Sequence, residues 1–101
     1  MQKVNLKRRE IVAILEVHSF MSLGIPGGGS HERFKGYVKG KTRLVDVSVH
    51  IDDFSPRKYE SLWWIRQQCG LEWAEFYASD PAVARRAQVP YRQPPRVPSD
   101  G

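Results

Sequence analysis

Cysteine is nearly absent from this sequence: Cys69 is the only one in 101 residues. A lone thiol cannot close a disulfide within the chain, and it cannot supply the paired cysteines of a structural zinc site. A small domain without such staples suits a reducing compartment, so a cytoplasmic location is expected. Long hydrophobic runs are missing as well. The segment MQKVNLKRREIVAIL places positive charge before a short apolar run. That run stops at Glu16 and His18 with no small-residue cleavage site after it, so we expect no signal peptide. No stretch approaches the ~20 apolar residues of a membrane-spanning helix. No internal repeat is visible.

Two catalytic signatures are also missing. There is no HExxH or Cys/His pairing, and His18, His31 and His50 are far apart, although Asp46, Asp52 and Asp53 supply carboxylates. No metal site and no cofactor are expected. The pattern GxxxxGK[ST] is absent, and the one glycine run is followed by a strand pattern rather than a helix, which argues against nucleotide binding of the P-loop kind.

Positive charge is what the chain has. Sixteen Lys and Arg stand against eleven Asp and Glu, for a formal net charge of +5. Such a domain is drawn to polyanions, nucleic acid being the commonest, and an acidic protein partner would satisfy the same charge.

The patterning divides the chain into residues 1–80, one small domain, and residues 81–101, a tail rich in proline and arginine. Asn5 can cap a helix from about Leu6 to Val17, with Ile11, Ile14, Leu15 and His18 on one face. Lys7, Arg8 and Arg9 in its first turn read as a solvated basic turn, with a phosphate-facing turn as the sharper alternative. SFMS suggests a short strand. HERFKGYV and TRLVDVSVHI read as two further strands around a turn at Lys39-Gly40-Lys41, because Val45, Val47, Val49 and Ile51 alternate with Leu44, Asp46, Ser48 and His50. A two-residue loop sets Phe34 against the valines in either of two registers. One pairs His31 with Ser48 and Arg33 with Asp46; the other pairs His31 with His50.

Ser55 and Pro56 then signal a helix ending at Gly70. Its adjacent Trp63 and Trp64 cannot both face the core. One is expected inside and the other partly covered, with a stacking platform for bases as the alternative. LEWAEFYA suggests a short helix with Trp73, Phe76 and Tyr77 on one side. The expected architecture is α+β, an antiparallel sheet with helices on one face and the other face open.

His31, Arg33 and Lys35 share that open face, next to Ser30, with His50 as a second titrating group. This set suits metal-independent RNA cleavage. A histidine can take the proton from a ribose 2′-hydroxyl, and cations can hold the scissile phosphate. Gly28 and Gly29 can offer backbone N–H groups to a phosphate, and Arg43 adds a further cation for RNA. A strand histidine can equally be structural, and the glycines can be a plain strand connection.

GGSHERF, Gly28 to Phe34, followed by a hairpin resembles the glycine-serine-histidine signature of HicA toxins, the mRNA interferases of bacterial toxin–antitoxin pairs. KRREIVAILE looks like their first helix, VDVSVH like their third strand, and SLWWIRQQCGLEWAEF like their second helix. The resemblance runs from about Lys7 to Phe76. It implies a double-stranded-RNA-binding-domain-like α-β-β-β-α sandwich. It also implies a catalytic histidine, which maps onto His31 with Gly29 and Ser30 completing the motif. The implied partners are mRNA and a HicB-like antitoxin that covers the active site. A domain of the same fold can also bind RNA or a protein without cutting.

Overall fold

The computed structural model describes residues 1–50 and 58–93. Helix α1 (Arg8–Val17) is followed by the short strand β1 (Met21–Ser22), a 3-10 turn at Pro26–Gly28, and strands β2 (His31–Val38) and β3 (Lys41–Ser48). Helices α2 (Lys58–Cys69), α3 (Trp73–Ala78) and α4 (Pro81–Ala87) complete the described chain. The three strands form one antiparallel sheet in the order β1-β2-β3, so the molecule is α+β.

Lys39-Gly40 is the two-residue hairpin loop. Both residues have positive φ, 52° and 81°, the pairing that matches the twist of flanking strands. This loop selects the register His31↔Ser48, Arg33↔Asp46 and Phe34↔Val45. Phe34, Val38, Val45 and Val47 are buried on one side of the sheet. Lys35, Tyr37 and Leu44 are exposed on the other. Gly36 lies on the buried side directly under Phe20. A Cβ there would stand 2.6 Å from the Phe20 ring, so only glycine lets the ring cover the strand.

Helix α1 begins later than the sequence suggests, and Asn5 is not its cap. Lys7 is the N-cap residue, and its N–H is held by the Glu10 carboxylate at 2.9 Å. Leu6 and Ile11 therefore occupy the positions that bracket a helix start with an apolar contact, and both are fully buried in the same core cluster. Ile14 and Leu15 join them, while His18 ends the helix half-buried.

Helix α2 contributes Leu62, Ile65 and Cys69 to the core, and α3 contributes Phe76 and Tyr77. Burial pushes the Cys69 thiol up to about 12, which leaves it an apolar packing group. Gly70 ends α2 with a φ of +73°. The expected caps Ser55 and Pro56 lie outside the described residues, as do Ile51, Asp52 and Asp53.

Two expectations need correction. Neither Trp63 nor Trp64 enters the core: they are 38% and 58% exposed. The position between them and Cys69 that faces inward is taken by Ile65 and by Arg66, whose guanidinium lies 4.9 Å from the Trp73 ring. The second correction concerns residue 81 onward. Instead of a tail, Asp80 caps α4 by accepting from the N–H groups of Ala82 and Val83, and Pro81 opens the helix. Val83, Ala84 and Ala87 are buried, Ala87 accepts from Gln2 N–H at 2.8 Å, and Arg86 bonds Glu10. The fourth helix thereby ties the N-terminal segment to α3. Residues 94–101, including Arg96, lie outside the described part.

Candidate functional site

The glycine run builds one wall of a cavity. Gly27 and Gly28 have φ of +63° and +67°, a left-handed conformation that side chains rarely tolerate. A Cβ at either would meet nothing within 4 Å, so the demand for glycine there is conformational and does not come from crowding. The 3-10 turn closes with Gly29 N–H donating to the Pro26 carbonyl at 3.2 Å. The chain then enters β2 at Ser30-His31. Val49 N–H donates to the Ser30 carbonyl at 2.9 Å, extending the ladder past the hairpin's end. This fixes the backbone under His31 while leaving its imidazole exposed, with Ser30 Oγ 3.4 Å from Nδ1.

Helix α2 builds the opposite wall. It runs beside the free edge of β3, and Gln68 Oε1 accepts from Asp46 N–H at 3.1 Å. That bond covers an otherwise unpaired strand edge. Between the two walls lies a cavity of about 520 Å³. Pro26, Gly29, Ser30 and His31 line one side, Arg33, Asp46 and Ser48 the floor, and Ser61, Trp64, Ile65 and Gln68 the other side.

The floor is electrostatically paired. Arg33 Nε donates to Asp46 Oδ1 at 2.9 Å across the strands. This hydrogen bond, and then the charge of Asp46, raise the pKa of the guanidinium and keep it ionised. Arg33 therefore meets a ligand as half of an ion pair. Ser48 Oγ accepts from His50 N–H at 3.1 Å, which fixes the turn at the end of β3.

The residues singled out in the sequence separate into two groups. Gly29, Ser30, His31 and Arg33 meet at the cavity. Gly28 sits in the turn behind it. Lys35 lies farther along the same sheet face, exposed and paired in register with Met21. His50 is exposed just past β3 and does not line the cavity. Arg43 is on the other face: it shares the side of Val45 and Val47, its Nε donates to the Val38 carbonyl at 3.4 Å, and its guanidinium packs where a Gly70 side chain would stand. Arg8 is engaged too, bonded to Glu32 and to the Ser48 carbonyl.

The contribution of α2 is what strand reasoning did not assemble. Ser61, Trp64, Ile65 and Gln68 follow the i, i+3, i+4, i+7 spacing of one helical stripe. It lies beside the core stripe of Leu62, Ile65 and Cys69, so a single helix serves both the core and the cavity.

Among the described residues there is no group of three or more His, Cys, Asp or Glu that could hold a metal ion, and no helix is long and apolar enough to cross a membrane. No protein-family model, curated protein or solved structure matches the chain.

Proposed function

We propose that this chain is a metal-independent endoribonuclease of the HicA kind, the toxin of a type II toxin–antitoxin pair acting on mRNA in the cytoplasm. The observation that carries the reading is His31: an exposed imidazole at the rim of a cavity, set between a glycine turn and Arg33, two residues along the same strand. In this reading the neutral imidazole takes the proton of a ribose 2′-hydroxyl. The 2′-oxygen attacks the adjacent phosphorus, the P–O5′ bond breaks, and the 5′-oxygen takes a proton from solvent, giving a 2′,3′-cyclic phosphate and a 5′-hydroxyl end. Arg33, on the cavity floor, faces the phosphate and offsets its developing charge. The element order is compatible with a double-stranded-RNA-binding-domain-like α-β-β-β-α core, extended here by α3 and α4. A HicB-like antitoxin is the partner this reading brings.

The test is induced expression of the wild type beside His31→Ala, following growth and mRNA integrity, with cleavage of RNA by the purified proteins. His31 is exposed, so His31→Ala keeps the fold. Arrest and mRNA loss in the wild type alone support the proposal, and a fully active His31→Ala protein would sink it.

A second reading has an observation in its favour. His50 does not line the cavity, so His31 has no titrating histidine opposite it there, and Asp46 already pairs with Arg33. Both fit a domain that binds RNA without cutting it. Binding without cleavage in the same assay selects this reading.

A further inference from the structure

Trp64 stands out because most of its indole is in solvent although it belongs to a cavity wall. Tryptophan is among the residue types enriched at the energetic centres of binding surfaces. The indole is also held in place. The Trp63 ring meets it edge-on, with centroids 4.8 Å apart and planes at 89°. Arg66 lies 5.8 Å from the Trp63 ring centre and 4.9 Å from that of Trp73. Arg66 is itself buried, and its guanidinium donates to the Leu71 carbonyl at 2.7 Å. A row of ring and guanidinium contacts thus runs from Trp73, packed against the core, to the cavity and ends on Trp64. A preorganised aromatic face costs little ordering on binding.

Beside it, Gln68 spends its carbonyl oxygen on Asp46 N–H. Its amide nitrogen is the end left to donate. Across the cavity stands His31, and Arg33 lies on the floor, paired with Asp46. One wall therefore offers an aromatic face with an adjacent donor, the other a base, and the floor between them a guanidinium.

We propose that Trp64 is the base-stacking residue of this cavity, taking one unpaired nucleobase on its indole while the adjoining phosphate lies toward His31 and Arg33. This rests on the ribonuclease reading above and narrows its substrate class to single-stranded RNA. In a duplex both faces of each base are already stacked, and the base cannot reach a side chain inside a cleft. A cavity of about 520 Å³ has room for one nucleotide and none for a helix.

The experiment measures binding of fluorescently labelled RNA to His31→Ala protein, which does not consume its ligand, with an unstructured strand and a hairpin stem compared. Trp64→Ala, Trp64→Leu and Trp64→Phe are then added. The single strand is expected to bind better than the stem. Trp64→Ala and Trp64→Leu weaken binding roughly tenfold, within the range of one base–aromatic stack, while Trp64→Phe keeps most of it. Trp64→Leu retains apolar bulk, so it separates stacking from helix stability. On the cleaving protein the same substitutions raise KM more than they lower kcat. Unchanged affinity and KM in Trp64→Ala, or a stem bound as tightly as the strand, overturns the stacking role and leaves His31 chemistry standing. Wild-type protein that neither binds nor cleaves RNA removes the ribonuclease reading and this inference together.

Discussion

His18 Nε2 and Ser79 Oγ are 2.7 Å apart, joining the end of α1 to the end of α3. Ser79 Oγ also lies 2.7 Å from the Glu75 carbonyl, to which its single hydrogen is donated. The hydroxyl can then only accept from the imidazole, so His18 carries its proton on Nε2. Burial lowers the His18 pKa below its ordinary 6.5, and nearby Glu75 opposes this without reversing it.

A pH dependence follows from that pair. The unfolded chain binds a proton at His18 more readily than the folded one, so stability rises with pH through the interval between the two pKa values. Acidification therefore begins to destabilise the fold near the ordinary histidine value, and the loss is complete below the folded value. The wild-type melting temperature should fall between about pH 7.5 and about pH 5.5, an interval that brackets histidine titration. In His18→Gln, where the amide can still donate to Ser79, this part of the fall should vanish. Thermal melts of both proteins across that range check it.

Asp46 holds Arg33 but also places a negative charge on the cavity floor. Asp46→Asn keeps an oxygen for the guanidinium and removes the charge. RNA affinity should rise, by roughly fivefold at low salt, and the gain should shrink as salt screens it. A salt titration of RNA binding to the two proteins measures this. Equal affinities at every salt concentration would show that RNA does not approach the Arg33 floor.

Gly36 is required by a contact. Its place under Phe20 leaves no room for a methyl group, and Phe20 is itself buried against the core. Gly36→Ala should cost about 1–3 kcal/mol of unfolding free energy through overpacking. In contrast, Gly36 faces Phe20 and does not line the cavity, so RNA binding by the folded variant should be unchanged. Urea unfolding combined with the binding assay separates the two effects.

Much of the strand structure was legible in the sequence because its information is local. Alternating valines require Phe34 on their own side, whereas both two-residue loops satisfied that parity and only the structure chose Lys39-Gly40 and its register. The placement of His31 and Arg33 on one exposed face follows from that parity alone. The beginning of α4 was written in the sequence as well, in Asp80 as cap and Pro81 as first residue. Its short apolar set, Val83, Ala84 and Ala87, has no meaning until the N-terminal segment and α3 lie against it.

What the sequence by itself determined, then, is the half of the cavity made by consecutive residues: the left-handed glycines, the exposed histidine and its strand neighbours. Only the tertiary structure decided the other half. Helix α2 lies along the open edge of β3 because Leu62, Ile65 and Cys69 must be buried and Asp46 N–H needs an acceptor. That docking brings Trp64 opposite His31, while strand parity alone puts Arg43 on the other face and the turn held by Ser48 leaves His50 outside the cavity. Periodicity tells which residues share a face of one element. Which two faces meet is fixed by packing between elements distant in sequence, where burial and hydrogen-bond satisfaction have to be met together.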